Sequence, residues 1–261
     1  MDMIFRIENG GFGYDRSFLF RGVNAEIGDG DILAILGPNG SGKTTMLKCM
    51  VNILGLKEGK VLLGERDVRE ISRREFSKKI AYVPQAKSYS FDCTVLDMVV
   101  LGRSPHIPTF SEPSSKDVEI AHDKLDYLGI TELKDRSFKT LSGGEMQMVL
   151  IARALASEPE ILIMDEPESN LDYHNQLKIL NTIKEISADV SCIINTHYPE
   201  HALRVSNKAL LLSRGGTAIG GMTDEIITEE RIGNVFGVNT AIGEVEIGGG
   251  VLRYVLPISI R

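Results

Sequence analysis

The chain has 261 residues, of which 43% are hydrophobic and 25% charged, as is typical of a soluble globular protein with a large core. Its 29 basic and 36 acidic residues give a formal net charge of −7, which argues against a general nucleic-acid-binding protein. No apolar run approaches the roughly 18 residues of a membrane span, and the N-terminus lacks a signal-peptide pattern. Three dispersed cysteines predict mostly buried thiols rather than a metal site.

The first residues have the pattern of strands interrupted by a turn. Residues 4–7 and 23–27 alternate apolar and polar side chains, and the glycines between Gly10 and Gly13 break that alternation. Tyr14 follows this turn. By its position alone, packing on the sheet is favoured over stacking on a nucleotide base.

A phosphate-binding pattern, G-x-x-x-x-G-K-S/T, covers residues 37–44. An apolar run at 32–36 predicts a buried strand before it, and apolar spacing predicts a helix over 44–54 after it. We therefore expect nucleotide binding, with Lys43 on the β- and γ-phosphates and Thr44 on Mg²⁺. The loop consists of Gly37, Pro38, Asn39, Gly40, Ser41, Gly42, Lys43 and Thr44.

The fully apolar strand predicted at 161–164 ends in two carboxylates, Asp165 and Glu166. In a chain that has a phosphate loop, such a pair indicates a Mg²⁺ ligand and a base for water. Burying acidic side chains without such a task costs several kcal/mol, so a purely structural role is disfavoured.

Two other predicted strands also end in polar residues. Gln85 follows the strand at 80–83, and His197 follows the strand at 190–195. The carboxyl ends of strands are where α/β sheets place ligands, although a lone glutamine or histidine there is more often structural. The repetition makes His197 a candidate sensor of the γ-phosphate.

Helical patterns dominate residues 86–159, which predicts a helical insertion between two parts of a sheet domain. Within it, Ser142, Gly143 and Gly144 precede a helix-favouring run at 146–156. Two glycines before a helix can turn N–H groups toward an anion, but taken alone a capped helix with a flexible lead-in is favoured. Beyond His197 we expect a strand at 209–212, a helix at 223–235 and a C-terminal hairpin over 244–260 without chemistry of its own.

In this order the elements resemble the ATP-binding subunits of ABC transporters over essentially the whole chain. The most specific motif is Leu141–Glu145, LSGGE, joined to the phosphate loop and to the strand at 161–166. The resemblance implies an α/β P-loop NTPase fold with a mostly parallel sheet core, an N-terminal antiparallel β subdomain and an inserted α-helical subdomain. It divides a single ABC ATPase domain, 1–261, into a core of 1–85 and 160–215, a helical signature subdomain of 86–159 and a C-terminal extension of 216–261.

The resemblance implies ATP and Mg²⁺ as cofactors and assigns roles to the motif residues. Tyr14 would stack on adenine, which reverses the preference from spacing alone. The phosphate loop and Thr45 would hold the nucleotide. Thr44, Gln85 and Asp165 would hold the metal, Asp165 through water. Lys43, Glu166 and His197 would be catalytic, with Glu166 polarising the attacking water and His197 contacting the γ-phosphate.

The resemblance also implies partners. Ser142, Gly143 and Gly144 would close on ATP held by a second subunit in a homodimer, with Asp172 in a loop that crosses the interface. Gln85 would transmit the state of the nucleotide site to integral-membrane permease subunits. A substrate-binding protein would supply those subunits with substrate. The protein would be peripheral, on the cytoplasmic side of the cell membrane.

The finer resemblance is to importers of metal chelates, namely iron-siderophore, haem or cobalamin, and it rests on residues 71–76, 80–85, 94–106 and 236–238. Molybdate or tungstate import and a soluble ABC ATPase of cofactor assembly are the alternatives. Three residues depart from the family pattern, and none of them removes a catalytic group. Glu168 can shift the protonation of the nearby base or slow turnover, and the two methionines can alter contacts behind the signature helix. The three are Met146, Met148 and Glu168.

Overall fold

The computed structural model describes residues 5–15, 17–85, 92–248 and 250–261. The described residues form two compact units, one from Met1–Glu70 with Ser191–Arg261 and one from Ile71–Val190. None of the helices in these described ranges is long and apolar enough to cross a membrane.

The strands alternate with helices along most of the chain. In chain order the strands are β1 (Phe5–Phe12), β2 (Phe20–Ile27), β3 (Ile32–Leu36), β4 (Glu58–Leu63), β5 (Arg66–Asp67), β6 (Ile80–Val83), β7 (Ile161–Asp165), β8 (Ser191–Thr196), β9 (Lys208–Leu212), β10 (Ala218–Met222), β11 (Val238–Ile247) and β12 (Gly250–Ile260). The α-helices are α1 (Lys43–Met50), α2 (Arg73–Lys79), α3 (Val95–Val100), α4 (Ser115–Tyr127), α5 (Gly143–Ala156), α6 (Tyr173–Ile186), α7 (Pro199–Val205), α8 (Thr223–Ile226) and α9 (Glu229–Phe236).

The first unit contains two kinds of sheet. Strands β2, β1, β4 and β5 form an antiparallel sheet in that order. Strand β3 pairs in parallel with both β8 and β9, and β10 adds an antiparallel edge beside β9. Every residue of β3 and of β8 is buried, as expected of parallel strands covered on both faces.

The second unit combines the parallel pair β6 and β7 with helices α2 to α6. Helices α3, α4 and α5 pack against one another. Three helices of this unit begin with a capping box, in which a hydroxyl and a carboxylate three residues later satisfy each other's backbone N–H groups. The boxes are Thr94 with Asp97, Ser114 with Asp117, and Ser142 with Glu145.

Two predicted helices have different bounds in the structure. The helix expected over 223–235 is split into α8 and α9, because the Thr228 side chain accepts the N–H of Arg231 and caps a new helix. The helix expected over 44–54 ends at Met50, and Asn52, with φ of 55°, adopts the left-handed conformation that stops a helix.

The cysteines are free thiols, as predicted. Cys49 and Cys192 are buried, and burial raises the pKa of each thiol to about 12. Cys93 is half-buried. The first two side chains therefore act as small core residues.

Candidate functional site

The phosphate loop joins β3 to α1 in the first unit. Gly40 and Gly42 have φ of 82° and 99°, a left-handed conformation that glycine adopts without steric strain. The Lys43 side chain is 5% exposed, and its Nζ donates to the carbonyl oxygens of Gly37 at 2.8 Å and Pro38 at 3.4 Å. The ammonium is thus held inside the loop as a buried positive charge.

Two observations show that this loop fits an anion such as phosphate. The Ser41 hydroxyl is 1% exposed and has no hydrogen-bond partner among the described residues. Helix α1 begins at Lys43 after Gly42, which offers no side chain to cap the first N–H groups. A phosphate would accept hydrogen bonds from both sources and face the positive end of the helix dipole. Thr44 and Thr45 lie in the first turn of the same helix.

His197 follows the strand next to the one that leads into the phosphate loop. The register pairs Leu36 at the end of β3 with Thr196 at the end of β8, so Gly37 and His197 emerge at the same edge of the sheet. The ring of Tyr198 lies between two histidine rings, 4.0 Å from His197 and 4.7 Å from His201 by centroids. The placement of His197 agrees with the strand prediction, and its role as a phosphate sensor stays a prediction.

Tyr14 follows β1 and is 59% exposed. Its ring meets Phe12 edge to face, with centroids 5.3 Å apart and planes at 89°. One part of the ring therefore packs on the sheet while the rest is accessible. Stacking on adenine stays a prediction for this residue.

In the second unit, the ends of β6 and β7 bring Gln85 to Glu166. Strands β6 and β7 run in parallel with Val83 opposite Met164. The Glu166 Oε2 accepts hydrogen bonds from Gln85 Nε2 at 3.2 Å and from Ser169 Oγ at 2.8 Å. Glu166 has φ of 49°, and a non-glycine residue in this region costs of order 1 kcal/mol or more, a strain that is common at functional sites.

Asp165 immediately precedes Glu166 and is 4% exposed. Its Oδ2 accepts a hydrogen bond from the Tyr82 hydroxyl at 3.2 Å. Glu168, one of the departures from the family pattern, is fully buried close by in sequence. Because Gln85 uses its amide nitrogen to bind Glu166, its carbonyl oxygen is the atom that a metal would take.

Sequence reasoning did not identify Tyr82 and Ser169 as parts of this site. Ser169 lies three residues after Glu166, a spacing at which a hydroxyl can bond back across a turn. Tyr82 carries the polar group of an otherwise apolar strand, β6. Both signals exist in the sequence, but neither has a motif that distinguishes it from ordinary serines and tyrosines.

The signature residues begin helix α5. Ser142 Oγ accepts the N–H of Glu145 at 3.4 Å, and Glu145 Oε2 accepts the N–H of Ser142 at 2.7 Å. This N–H is the main reason that the pKa of Glu145 lies below its ordinary value. Arg136 adds an ion pair to Glu145 at 2.8 Å.

The start of α5 packs closely on the start of α6. A Cβ added to Gly144 would lie 2.5 Å from Asn175 Oδ1, so only glycine fits there without a shift of Asn175. Asp172 caps α6 by accepting the Asn175 backbone N–H at 2.8 Å, and its other oxygen accepts the Asn175 side chain at 3.1 Å. Asn175 thereby joins Asp172 to the signature glycines.

Within each unit, the structure brings some of the predicted residues together. The first unit holds the phosphate loop and His197 at one sheet edge. The second unit joins Gln85 to Glu166, beside Asp165, and joins the signature to Asp172. The functional role of each residue stays a prediction.

Comparison with known proteins agrees with this geometry. Over 239 residues, 90% of this chain and 89% of the relative, the chain is 39% identical to the molybdate import ATP-binding protein MolC of Haemophilus influenzae. It is 35% identical over 213 residues to the probable iron chelatin transport ATP-binding protein of Helicobacter pylori, covering 80% of this chain and 84% of the relative.

Solved structures give the same result. A chain of an inward-facing ABC transporter, provisionally assigned to the metal-chelate type, superposes with a TM-score of 0.89 at 35% identity, covering 99% of this chain and 98% of that one. The predicted fold class, an α/β P-loop fold with a mostly parallel core and an antiparallel β subdomain, is confirmed. The family described as ABC transporter matches residues 20–169, more than half of the sequence. The chain therefore belongs to the ABC transporter family and is its ATP-binding ATPase component.

Proposed function

We propose that this chain powers the import of a metal chelate, such as an iron-siderophore, haem or cobalamin, through separate permease subunits in the membrane. Members of its family hydrolyse ATP and couple that hydrolysis to transport. The proposal adds the direction of transport, the cargo class and the role of each site residue.

The setting of Glu166 is the observation that carries the catalytic part of this proposal. Its carboxylate follows a buried strand and is oriented by Gln85 and Ser169, which both donate to Oε2. A carboxylate fixed in this way can take the proton of a water that attacks the γ-phosphate. Gln85 contacts the same carboxylate, so a partner that moves Gln85 would also move the base.

The phosphate loop supplies the binding energy for the nucleotide. Lys43 offers a buried positive charge, and the uncapped start of α1 and the Ser41 hydroxyl offer hydrogen-bond donors. The Thr44 hydroxyl, the Gln85 carbonyl oxygen and the Asp165 carboxylate are hard oxygen ligands that suit Mg²⁺. When bound, the metal would neutralise phosphate charge during hydrolysis.

The signature helix supplies a second anion site, which we assign to the ATP of a partner copy. Ser142, Gly143 and Gly144 stand at the N-terminus of α5, a 14-residue helix. Two copies would form two such sites, with each ATP held between the phosphate loop of one copy and the signature of the other, so closure requires ATP and reopening follows hydrolysis. Asp172 would lie at this interface, since Asn175 connects it to Gly144.

The cargo is supported by similarity alone. The iron chelatin relative and the metal-chelate type structure favour a metal chelate. The molybdate relative, at 39% identity, favours a second candidate, import of molybdate or the chemically similar tungstate.

Replacing Glu166 with glutamine tests the assigned base. We expect Glu166→Gln to lower kcat by about 100- to 10,000-fold, as loss of a general base does, while ATP binding is retained and an ATP-bound dimer accumulates. Turnover measured by phosphate release and mass measured by light scattering check this. Glu160→Gln, which removes an exposed carboxylate paired with Lys79, is the matched control and should behave as wild type. Normal turnover in Glu166→Gln would refute the assignment.

Identifying the cargo requires the assembled transporter. Reconstituted with its permease and binding protein in vesicles, the chain should hydrolyse ATP faster when an iron-siderophore, haem or cobalamin is supplied. Stimulation by molybdate alone would replace the metal-chelate proposal with the second candidate.

A further inference from the structure

A cavity of about 480 Å³ lies in the first unit, and none of the residues assigned to the nucleotide lines it. Residues of β1, β2, β3, β9, β10 and α8 form its lining, so the antiparallel sheet and the sheet of the phosphate loop both border it. Its volume is within the range of about 300 to 1,000 Å³ that small-molecule sites have. We call it the β2–β10 cavity, after the two edge strands that border it.

The β2–β10 cavity lies toward the amino ends of β3 and β9, away from the phosphate loop. Leu33 is the second residue of β3 and pairs with Lys208, the first residue of β9. Both residues line the cavity, whereas Gly37 follows the last residue of β3. The strand from Leu33 to Gly37 spans about 13 Å. A small ligand in the cavity would therefore not occupy the place of the ATP phosphates.

The most buried residues that line the β2–β10 cavity are apolar. Ile7, Leu33 and Ala209 are 1%, 2% and 0% exposed. Met222 also lines the cavity, at the end of β10, and is 49% exposed. An aliphatic group bound there would remove apolar surface of Met222 from water, which is favourable.

The basic side chains of the lining already have acidic partners. Arg6 Nε lies 2.8 Å from Glu8 Oε1, and Lys208 Nζ lies 2.8 Å from Asp31 Oδ2. Lys208 also donates to the backbone carbonyl of Glu26 at 3.4 Å. Among the described residues, Arg6 and Lys208 are the only basic ones in the lining. Both positive charges are therefore neutralised before any ligand binds.

Two acidic side chains of the lining have no such partner. The carboxylates of Glu26, on β2, and Glu225, on α8, make no ion pair or hydrogen bond with any described residue. An oxygen of Glu225 lies 3.6 Å from the position that a Cβ on Gly221 would take, so this carboxylate stands against the cavity wall formed by β10. Because the bases are paired and these two acids are not, the cavity favours a positively charged ligand.

We propose that the β2–β10 cavity binds an organic amine, with its ammonium group at Glu26 and Glu225 and its aliphatic chain over Met222. An ammonium group brings one positive charge and three hydrogen-bond donors, which suit carboxylates that have no other partner. An anion would face these carboxylates without an unpaired base to hold it. A divalent cation would use the carboxylates but leave the apolar side chains of the lining without a role.

Titration of the full-length chain with hexylammonium, followed by NMR of isotope-labelled methionine methyl groups without nucleotide, tests this. The Met222 signal, identified with Met222→Leu, should shift with a Kd of about 1 mM, a usual affinity for so small a ligand. The signal of Met46, on α1 next to the phosphate loop, should stay in place. Hexanol, with the same chain and no charge, should bind about 3- to 10-fold more weakly, and hexanoate more weakly still.

The double variant Glu26→Gln/Glu225→Gln should bind hexylammonium about 3- to 10-fold more weakly than wild type, and hexanol equally well. Glu230→Gln removes an exposed carboxylate outside the lining and is the control, so it should bind hexylammonium as wild type does.

Three results would overturn the proposal. They are no Met222 shift up to about 50 mM hexylammonium, tighter binding of hexanol or hexanoate, and unchanged hexylammonium affinity in the double variant. A Met222 shift caused by Ca²⁺ that prevents hexylammonium binding would overturn it in favour of a metal ion. None of these measurements uses ATP or Glu166, so a failure here and a failure of the proposed function are distinguishable.

Discussion

The two helix N-termini assigned to phosphate, those of α1 and α5, are satisfied in different ways. Helix α5 carries a complete capping box, and Glu145 and Ser142 bond to each other's backbone N–H groups. Helix α1 follows Gly42, has no side-chain cap and has no acidic residue in its first turn. The protein therefore completes one helix start with its own side chains and leaves the other without a cap of its own.

This difference indicates different tasks. A helix start without a side-chain cap, beside a buried lysine, presents a positive field to which a phosphate can bind directly. In a capped helix start, side chains already accept hydrogen bonds from backbone N–H groups, so an anion gains fewer hydrogen bonds there. We infer that α1 supplies most of the nucleotide affinity and that α5 acts mainly in the closed, hydrolysing dimer.

The largest effect should come from Lys43→Met. Loss of the charge that we propose to contact the β- and γ-phosphates should weaken ATP binding by about 100- to 1,000-fold, roughly 3 to 4 kcal/mol. Stability without nucleotide should hardly change, since methionine keeps the buried alkyl chain and removes a charge from the interior. Calorimetric titration measures the affinity, and Lys48→Met on the same helix is the control. Unchanged ATP affinity in Lys43→Met would contradict the inference that α1 supplies most of the nucleotide affinity.

Ser142→Ala should have the next largest effect, on turnover instead of binding. Loss of the hydroxyl that we propose to donate to the transition state should lower kcat by about 10- to 100-fold while the affinity of the monomer for ATP is unchanged. Because the cap is also lost, unfolding should become easier by about 1 kcal/mol. Phosphate release and urea unfolding measure the two effects. A loss of monomer affinity equal to that of Lys43→Met would show that the two helix starts do not differ.

Ser41→Ala should lower ATP affinity without lowering stability, and its effect should be smaller than that of Ser142→Ala. The Ser41 hydroxyl is buried without a partner among the described residues, so its removal breaks no hydrogen bond to them. The melting temperature should stay the same or rise slightly. ATP affinity should fall only about 3- to 10-fold, the value of one hydrogen bond. A clear loss of stability without nucleotide would show that the Ser41 hydroxyl makes a stabilising contact in the free protein.

The smallest expected effect is a loss of stability at acidic pH. The Ser142 N–H holds the pKa of Glu145 below its ordinary value of 4.5. A group whose pKa is lowered by folding stabilises the protein above the unfolded pKa, and that stability is lost as pH falls through the folded pKa. The free energy of unfolding of wild type, measured with urea, should therefore fall below about pH 4.5. Glu145→Gln should remove this part of the pH dependence. Helix α1 has no acid in its first turn and should add nothing to it.

Much of the fold follows from local sequence patterns. The apolar run of β3, the glycines of the phosphate loop and the cap at Ser142 each depend on neighbours within a few residues, and the structure agrees with all three. The predictions that differ, at Met50 and Thr228, are element bounds. Helix α1 ends before Asn52, which has a left-handed conformation. Helix α9 begins where the Thr228 side chain provides a cap.

The site was only partly predictable, for a physical reason. Motif spacing identifies Glu166 and Gln85 as polar ends of strands, but their hydrogen bond joins residues 81 positions apart in the chain. Tyr82 reaches Asp165 over a similar separation, and no sequence pattern announces either contact. Such pairs exist only once parallel strands have fixed their register.

The sequence by itself determined the nucleotide loop, the signature helix and the family, because these depend on residue types at fixed short spacings. Only the tertiary structure decided which hydroxyl is buried without a partner, which glycine leaves room for Asn175 and which side chains line the β2–β10 cavity. Burial and register are properties of the packed chain, since each depends on residues distant in sequence that meet only after folding.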